Sequence, residues 1–138
     1  MLAIYDISTG YKLLGVIHIL AAVAAFGPLL VYPSMQRAGA SAAVAKLHLR
    51  LVMPALVVVW VAGMGMVGMS DKFIRMTQTW IAVSLVGWFV LVLVSWFMIR
   101  PAIADTGSSA RSRLAAGMGI THLLMVVIIG LMVFKPGI

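Results

Sequence analysis

Four long apolar stretches alternate with short polar interruptions along the chain, at about residues 13–31, 51–69, 77–99 and 114–134. A bilayer core about 30 Å thick needs roughly 20 apolar residues in a helix, and each stretch supplies that length. Short alternating strands of the kind a membrane barrel needs are missing, so backbone satisfaction in lipid calls for helices. The pattern predicts an all-α, integral membrane four-helix up-and-down bundle. It leaves room for one domain over residues 1–138 and none for a soluble catalytic unit.

The polar interruptions carry turn chemistry. Pro33 and the 34–41 segment end the first span, and Ser70-Asp71-Lys72 links the second and third as antiparallel neighbours. Arg100-Pro101 ends the third span, Gly107-Ser108-Ser109 opens a flexible loop, and Lys135-Pro136-Gly137 stops the fourth. Within the first span, Phe26-Gly27-Pro28 predicts a kink, because Pro28 removes a backbone donor. The N-terminus lacks a basic region and a small-residue cleavage site, and Asp6 precedes the first apolar stretch, which is therefore expected to be retained.

Composition agrees with the pattern. Of 138 residues, 64% are hydrophobic and only 9% charged, and the mean hydropathy is +1.16. So few polar groups cannot cover the surface of a small soluble domain. The net charge of +7 would suggest nucleic acid in a soluble protein. Here the basic residues flank apolar spans, where they set topology and meet lipid headgroups, and no nucleic-acid partner is expected. Arg37, Lys46, Arg50, Arg100, Arg111 and Arg113 lie on one side, against Lys12, Lys72, Arg75 and Lys135 on the other. That bias puts both termini outside the cytoplasm, with the chain multi-pass in the cell inner (plasma) membrane. Trp80 and Trp96, near the two ends of the third span, sit as an aromatic belt would have them.

Candidate chemistry is sparse. There is no cysteine, which excludes disulfides and thiolate sites. The acidic residues are Asp6, Asp71 and Asp105, all outside the spans, so neither a carboxylate dyad nor a buried triad is supported and no enzyme is expected. The ionisable residues within spans are His18 and His122, and intramembrane ionisable residues default to functional hypotheses. His18 has Gly15, Ala22 and Ala25 on its helical face, a stripe that permits close helix contact. His122 has Gly119 one turn away, and the two sites share a Gly-x-x-His pattern followed by two aliphatic residues. Two neutral imidazoles on facing helices are the right ligands for a haem b. An axial offset of about 8 Å opposes that, and each histidine is expected to bond a backbone carbonyl or hydroxyl across a helix pair. His48, between Lys46 and Arg50, reads as interfacial.

Methionine is abundant, with 11 residues. Met64, Met66 and Met69 are soft thioethers suited to Cu(I), but Met64 and Met66 point about 160° apart on a helix and converge only if it frays near Gly65 and Gly68. Otherwise they are adaptable packing. Ser84, Gly87, Leu91 and Ser95 on the third span, and Ala55, Ala62 and Gly63 on the second, form packing faces.

Lys12 with its aliphatic run to His18, and the small-residue stretch to Phe26-Gly27-Pro28, together resemble the first helix of the DUF2269 family of predicted bacterial integral membrane proteins. Trp80, Arg100-Pro101 and the closing Leu131-Met132-Val133-Phe134-Lys135-Pro136-Gly137 are similar to that family too, so the resemblance covers nearly the whole chain. It implies a membrane bundle without an established activity. More distantly, the chain is similar to the CopD-like copper-resistance membrane domain, in which a first-helix histidine precedes a small-residue run ending at Trp-x-Gly-Gly. His18 matches that histidine, whereas Phe26-Gly27-Pro28 departs from the ending.

These features favour a structural or accessory membrane component, in contact with the lipid bilayer and with a homo-oligomer or larger membrane complex as partners. The alternative is a copper- or haem-binding or transport protein using His18, His122, Met64, Met66 and Met69. The topology is testable directly. A reporter fused at residue 107 is expected to give a cytoplasmic signal, and a signal from the opposite face would invert the orientation.

Overall fold

The computed structural model describes residues 8–71, 73–105 and 107–136. Asp6, Lys72 and Gly137, which entered the topology and boundary expectations, lie outside the described residues. Four helices result: α1 (Thr9–Arg37), α2 (Ser41–Gly68), α3 (Thr79–Ala104) and α4 (Ser108–Phe134), each long and apolar enough to cross a membrane. Among the described residues there is no strand. The chain is a four-helix multi-pass membrane bundle, and its helices extend beyond the apolar runs at several ends.

Prolines account for most of the extension. α1 passes Pro28 and Pro33 and ends at Arg37, so Pro33 does not terminate it. Gly39, at φ 78°, then turns the chain. α3 likewise runs through Pro101 to Ala104. A proline inside a helix lacks a donor and crowds the carbonyl four residues back. In α2 and α3 the preceding turn widens into a π-helical turn, His48–Val52 before Pro54 and Ser95–Ile99 before Pro101. The register is the same in both, with the proline six residues after the first residue of the turn. Such widened turns absorb a proline without breaking the helix.

The connections are tighter than the polar composition suggests. Asp105 accepts the Gly107 N–H at 2.9 Å, and α4 starts at Ser108, so Gly107-Ser108-Ser109 opens a helix rather than a flexible loop. The α2–α3 connection is knitted by Ser70, whose hydroxyl donates to Val67 O at 2.8 Å and accepts from Ile74 N at 3.1 Å. At the chain start, Ser8 caps α1 by accepting from Tyr11 N at 3.2 Å.

Lipid tails are as apolar as leucine, so close packing and interhelical hydrogen bonds hold such a bundle, not burial from water. Glycines provide the approach. In the α1–α2 hairpin, Gly65 receives Leu14, Gly15 receives Met66 and Gly10 receives Met69. In the α3–α4 hairpin, Gly87 receives Ile128 and Gly117 receives Ile99. Ser84, Leu91 and Ser95 are buried on the same face as Gly87, as the spacing predicts. The α2–α3 pair is bridged by indoles: Trp88 donates to Leu56 O at 3.0 Å, and Trp60 and Trp88 stack at 5.8 Å.

Most of the main core, including Phe26, Leu29, Tyr32, Val52, Leu56, Leu91 and Ile99, lies toward the end of the bundle opposite the termini. A smaller cluster of Ile74, Trp80 and Ile81 closes the terminal end with Tyr11 and Leu131. Trp80 is therefore buried rather than on a lipid-facing belt, with the Lys135 ammonium 5.6 Å from its ring. Trp96 is exposed beneath the Arg100 guanidinium at 4.1 Å. The two tryptophan levels stand about 24 Å apart at the helical rise, close to a hydrocarbon thickness. Only 22–28% of each span's apolar window is buried within the chain, which leaves the remainder to lipid.

Gly117 tests this packing. A Cβ there would meet Ile99 Cγ1 at 2.9 Å, whereas one at Gly130 meets nothing within 4 Å. Gly117→Val is expected to lower thermal stability in mild detergent, by about 1–3 kcal/mol of overpacking. Gly130→Ala should leave the melting temperature unchanged or slightly raised. Equal effects would contradict the interlocking.

Candidate functional site

The polar groups of the interior gather toward the end opposite the termini. Tyr32 belongs to the last turns of α1, His48 opens the π-turn of α2, Ser95 opens that of α3, and His122 lies on α4. His48 is fully buried. Its Nε2 lies 3.0 Å from Ser95 O, and its Nδ1 lies 3.0 Å from the Tyr32 hydroxyl. A carbonyl can only accept, so Nε2 carries the proton and Nδ1 takes the hydroxyl's. One imidazole thus ties three helices, and it joins the first residues of the two π-turns.

The fourth helix enters through His122, whose Nε2 donates to Leu29 O at 2.9 Å. Leu29 is four residues before Pro33, which has no N–H, so its carbonyl has lost the usual helical donor. His122 replaces that donor. His18 does related work nearer the termini, donating from Nδ1 to Val59 O at 2.8 Å. Gly63 makes room for this ring, since a Cβ there would stand 3.1 Å from His18 Cε1.

His18 and His122 are not brought together. His18 lies on α1 itself, and the Leu29 carbonyl puts His122 eleven residues farther along that helix, about 16 Å away at the helical rise. That is wider than the offset of about 8 Å expected from the sequence, and a haem iron cannot bridge it. The methionines do not converge either. α2 stays α-helical through Gly68, so the fraying needed to join Met64 and Met66 is not there. Met66 and Met69 instead lie against Gly15 and Gly10 of α1. Among the described residues no three His, Cys, Asp or Glu side chains approach as a metal site would require.

Sequence reasoning missed His48 by reading its charged neighbours Lys46 and Arg50 as a sign of exposure. Those side chains are exposed, whereas Val44, His48 and Val52, at four-residue intervals, are buried. The i±4 phase with two valines was the available signal.

Beside the polar layer, toward the end opposite the termini, lies a half-open cavity of about 910 Å³. Tyr32 and His122 contribute to its wall, with Gln36, Arg37, Asp105 and Arg111 farther out. The Gln36 Oε1 accepts from Ser41 Oγ at 2.7 Å, while its Nε2 is buried without a partner.

Fold and site together define a multi-pass α-helical membrane protein whose interior polar residues join helices. No protein-family model, no curated protein and no solved structure matches the chain.

Removing the imidazoles should rank them. His48→Leu removes two interhelical bonds, leaving the Tyr32 hydroxyl without an acceptor while the Ser95 carbonyl keeps the Arg100 N–H, a loss of about 1–3 kcal/mol. His18→Leu removes a single interhelical bond and is expected to cost about 0.6–1.7 kcal/mol. Denaturation of the purified variants in detergent micelles checks the order, and a larger loss at His18 would refute the bridging role of His48.

Proposed function

We propose that the protein is a structural or accessory component of the cell inner (plasma) membrane and not an enzyme, with both termini outside the cytoplasm. The observation that carries this reading is the use of its intramembrane histidines: each imidazole bonds a backbone carbonyl of another helix. Groups committed to holding helices together are poorly placed to exchange protons or ligands. The Gly/Ala faces, which could have served a partner, are largely spent inside the two hairpins. Partners, whether a second copy or a larger complex, would meet the aliphatic outer surface. The similarity of the His18 region and the chain end to the DUF2269 family belongs to the same proposal.

The copper or haem alternative lacks a common coordination point, since His18, His122 and the Met64, Met66 and Met69 thioethers diverge. The discriminating experiment is an absorption spectrum, oxidised and reduced, with metal analysis of protein purified in mild detergent. A spectrum without a Soret band and a sample without stoichiometric metal are expected. A Soret band, or one copper per chain, would overturn the proposal.

A further inference from the structure

The cavity opposite the termini has a mostly apolar wall that carries more positive than negative charge. Arg37 and Arg111 stand at its wall against a single carboxylate, Asp105. One oxygen of that carboxylate accepts the Gly107 N–H. Arg37 uses only its Nε, toward Pro33 O at 3.3 Å, and neither guanidinium has an ion pair among the described residues. Two helices begin at this end, α2 at Ser41 and α4 at Ser108, and neither has a side-chain cap. Their first N–H groups and positive dipole ends add to the arginines' field.

The Gln36 side chain also lines this cavity, but its unpartnered Nε2 is enclosed in the protein and does not face the open space, so the donors available to a ligand are the two arginines. Forked guanidiniums and uncapped helix starts suit an anion with several oxygens rather than a single acceptor. Deeper in, Leu114 and Met118 give the cavity an apolar wall, and Trp96 beneath Arg100 marks the membrane boundary at the same end.

We propose that this cavity binds a phosphate-bearing anion, held by Arg37 and Arg111. Two sources share that chemistry, the headgroup of an anionic phospholipid and free phosphate. The site is independent of the accessory role proposed above, since it uses none of the bonds that join the helices.

The test is thermal stability of the full chain in uncharged detergent, titrated with inorganic phosphate, with short-chain phosphatidylglycerol and with short-chain phosphatidylcholine. The wild type is compared with the double variant Arg37→Gln/Arg111→Gln and with a charge-matched control, Lys12→Gln/Lys135→Gln, altered at the opposite end. Phosphatidylglycerol or phosphate should raise the melting temperature of the wild type and the control alike. The apparent affinity of the arginine double variant should be weaker by about tenfold or more, as expected for lost charge-assisted hydrogen bonds. A response to phosphatidylglycerol alone identifies a headgroup, and a response to phosphate identifies a free anion. No response to either would overturn the proposal. So would equal responses in the two double variants, because the effect would then be the general attraction of a cationic chain.

Discussion

A carbonyl released inside an apolar medium has no water to turn to, and the interior of this bundle is arranged around that constraint. Pro33 removes the donor that Leu29 O would have had, and His122 supplies another from a different helix. Pro54 and Pro101 are each preceded by a π-turn. The first residues of those two turns, His48 and Ser95, are themselves hydrogen-bonded. The prolines thus set where the helices depart from regularity, and the histidines convert those departures into joints between helices. Each of these histidines bonds a backbone carbonyl of another helix.

The bundle is held by two kinds of contact with different reach. Glycine approaches bind α1 to α2 and α3 to α4, each partner taking the space of an absent side chain. Such contacts act within a hairpin and say little about how the hairpins meet. The hairpins are joined by polar bonds from His48, His122 and Trp88, which end on backbone carbonyls of the opposite pair. Two of these three lie toward the end opposite the termini, where most of the main core also lies. The cavity opens beside this cross-linked region, so its wall is braced by the same helices that the histidines fix.

The distribution of charge follows from the same economy of polar groups. Asp105, the single carboxylate in the cavity wall, binds the start of α4 through one oxygen, and the two arginines there leave the wall net positive. The outer surface offers the opposite environment. Leu20, Val23, Val86, Phe97, Leu123 and Val126 are all exposed, a belt suited to lipid tails and without polar features that would select a partner.

The sequence by itself determined the number of spans, their helical nature and the presence of His18 and His122 within them, because backbone groups in lipid permit only helices or a closed barrel and the short alternating strands of a barrel are missing. It also carried the expectation that these histidines bond carbonyls across helix pairs, though not which carbonyls. What it could not determine was which face of each span turns inward. In a soluble helix the polar face announces itself, but here lipid-facing and core-facing positions are both apolar, so periodicity carries little information. That is why His48 read as interfacial and why the offset of His18 and His122 was underestimated. It is also why Gln36, Arg37 and Arg111, drawn from segments far apart in the chain, gave no sign of a shared cavity. Only the tertiary structure decided these points, since each depends on which helix supplies the partner, and that choice is made by close packing between helices and not by any local pattern.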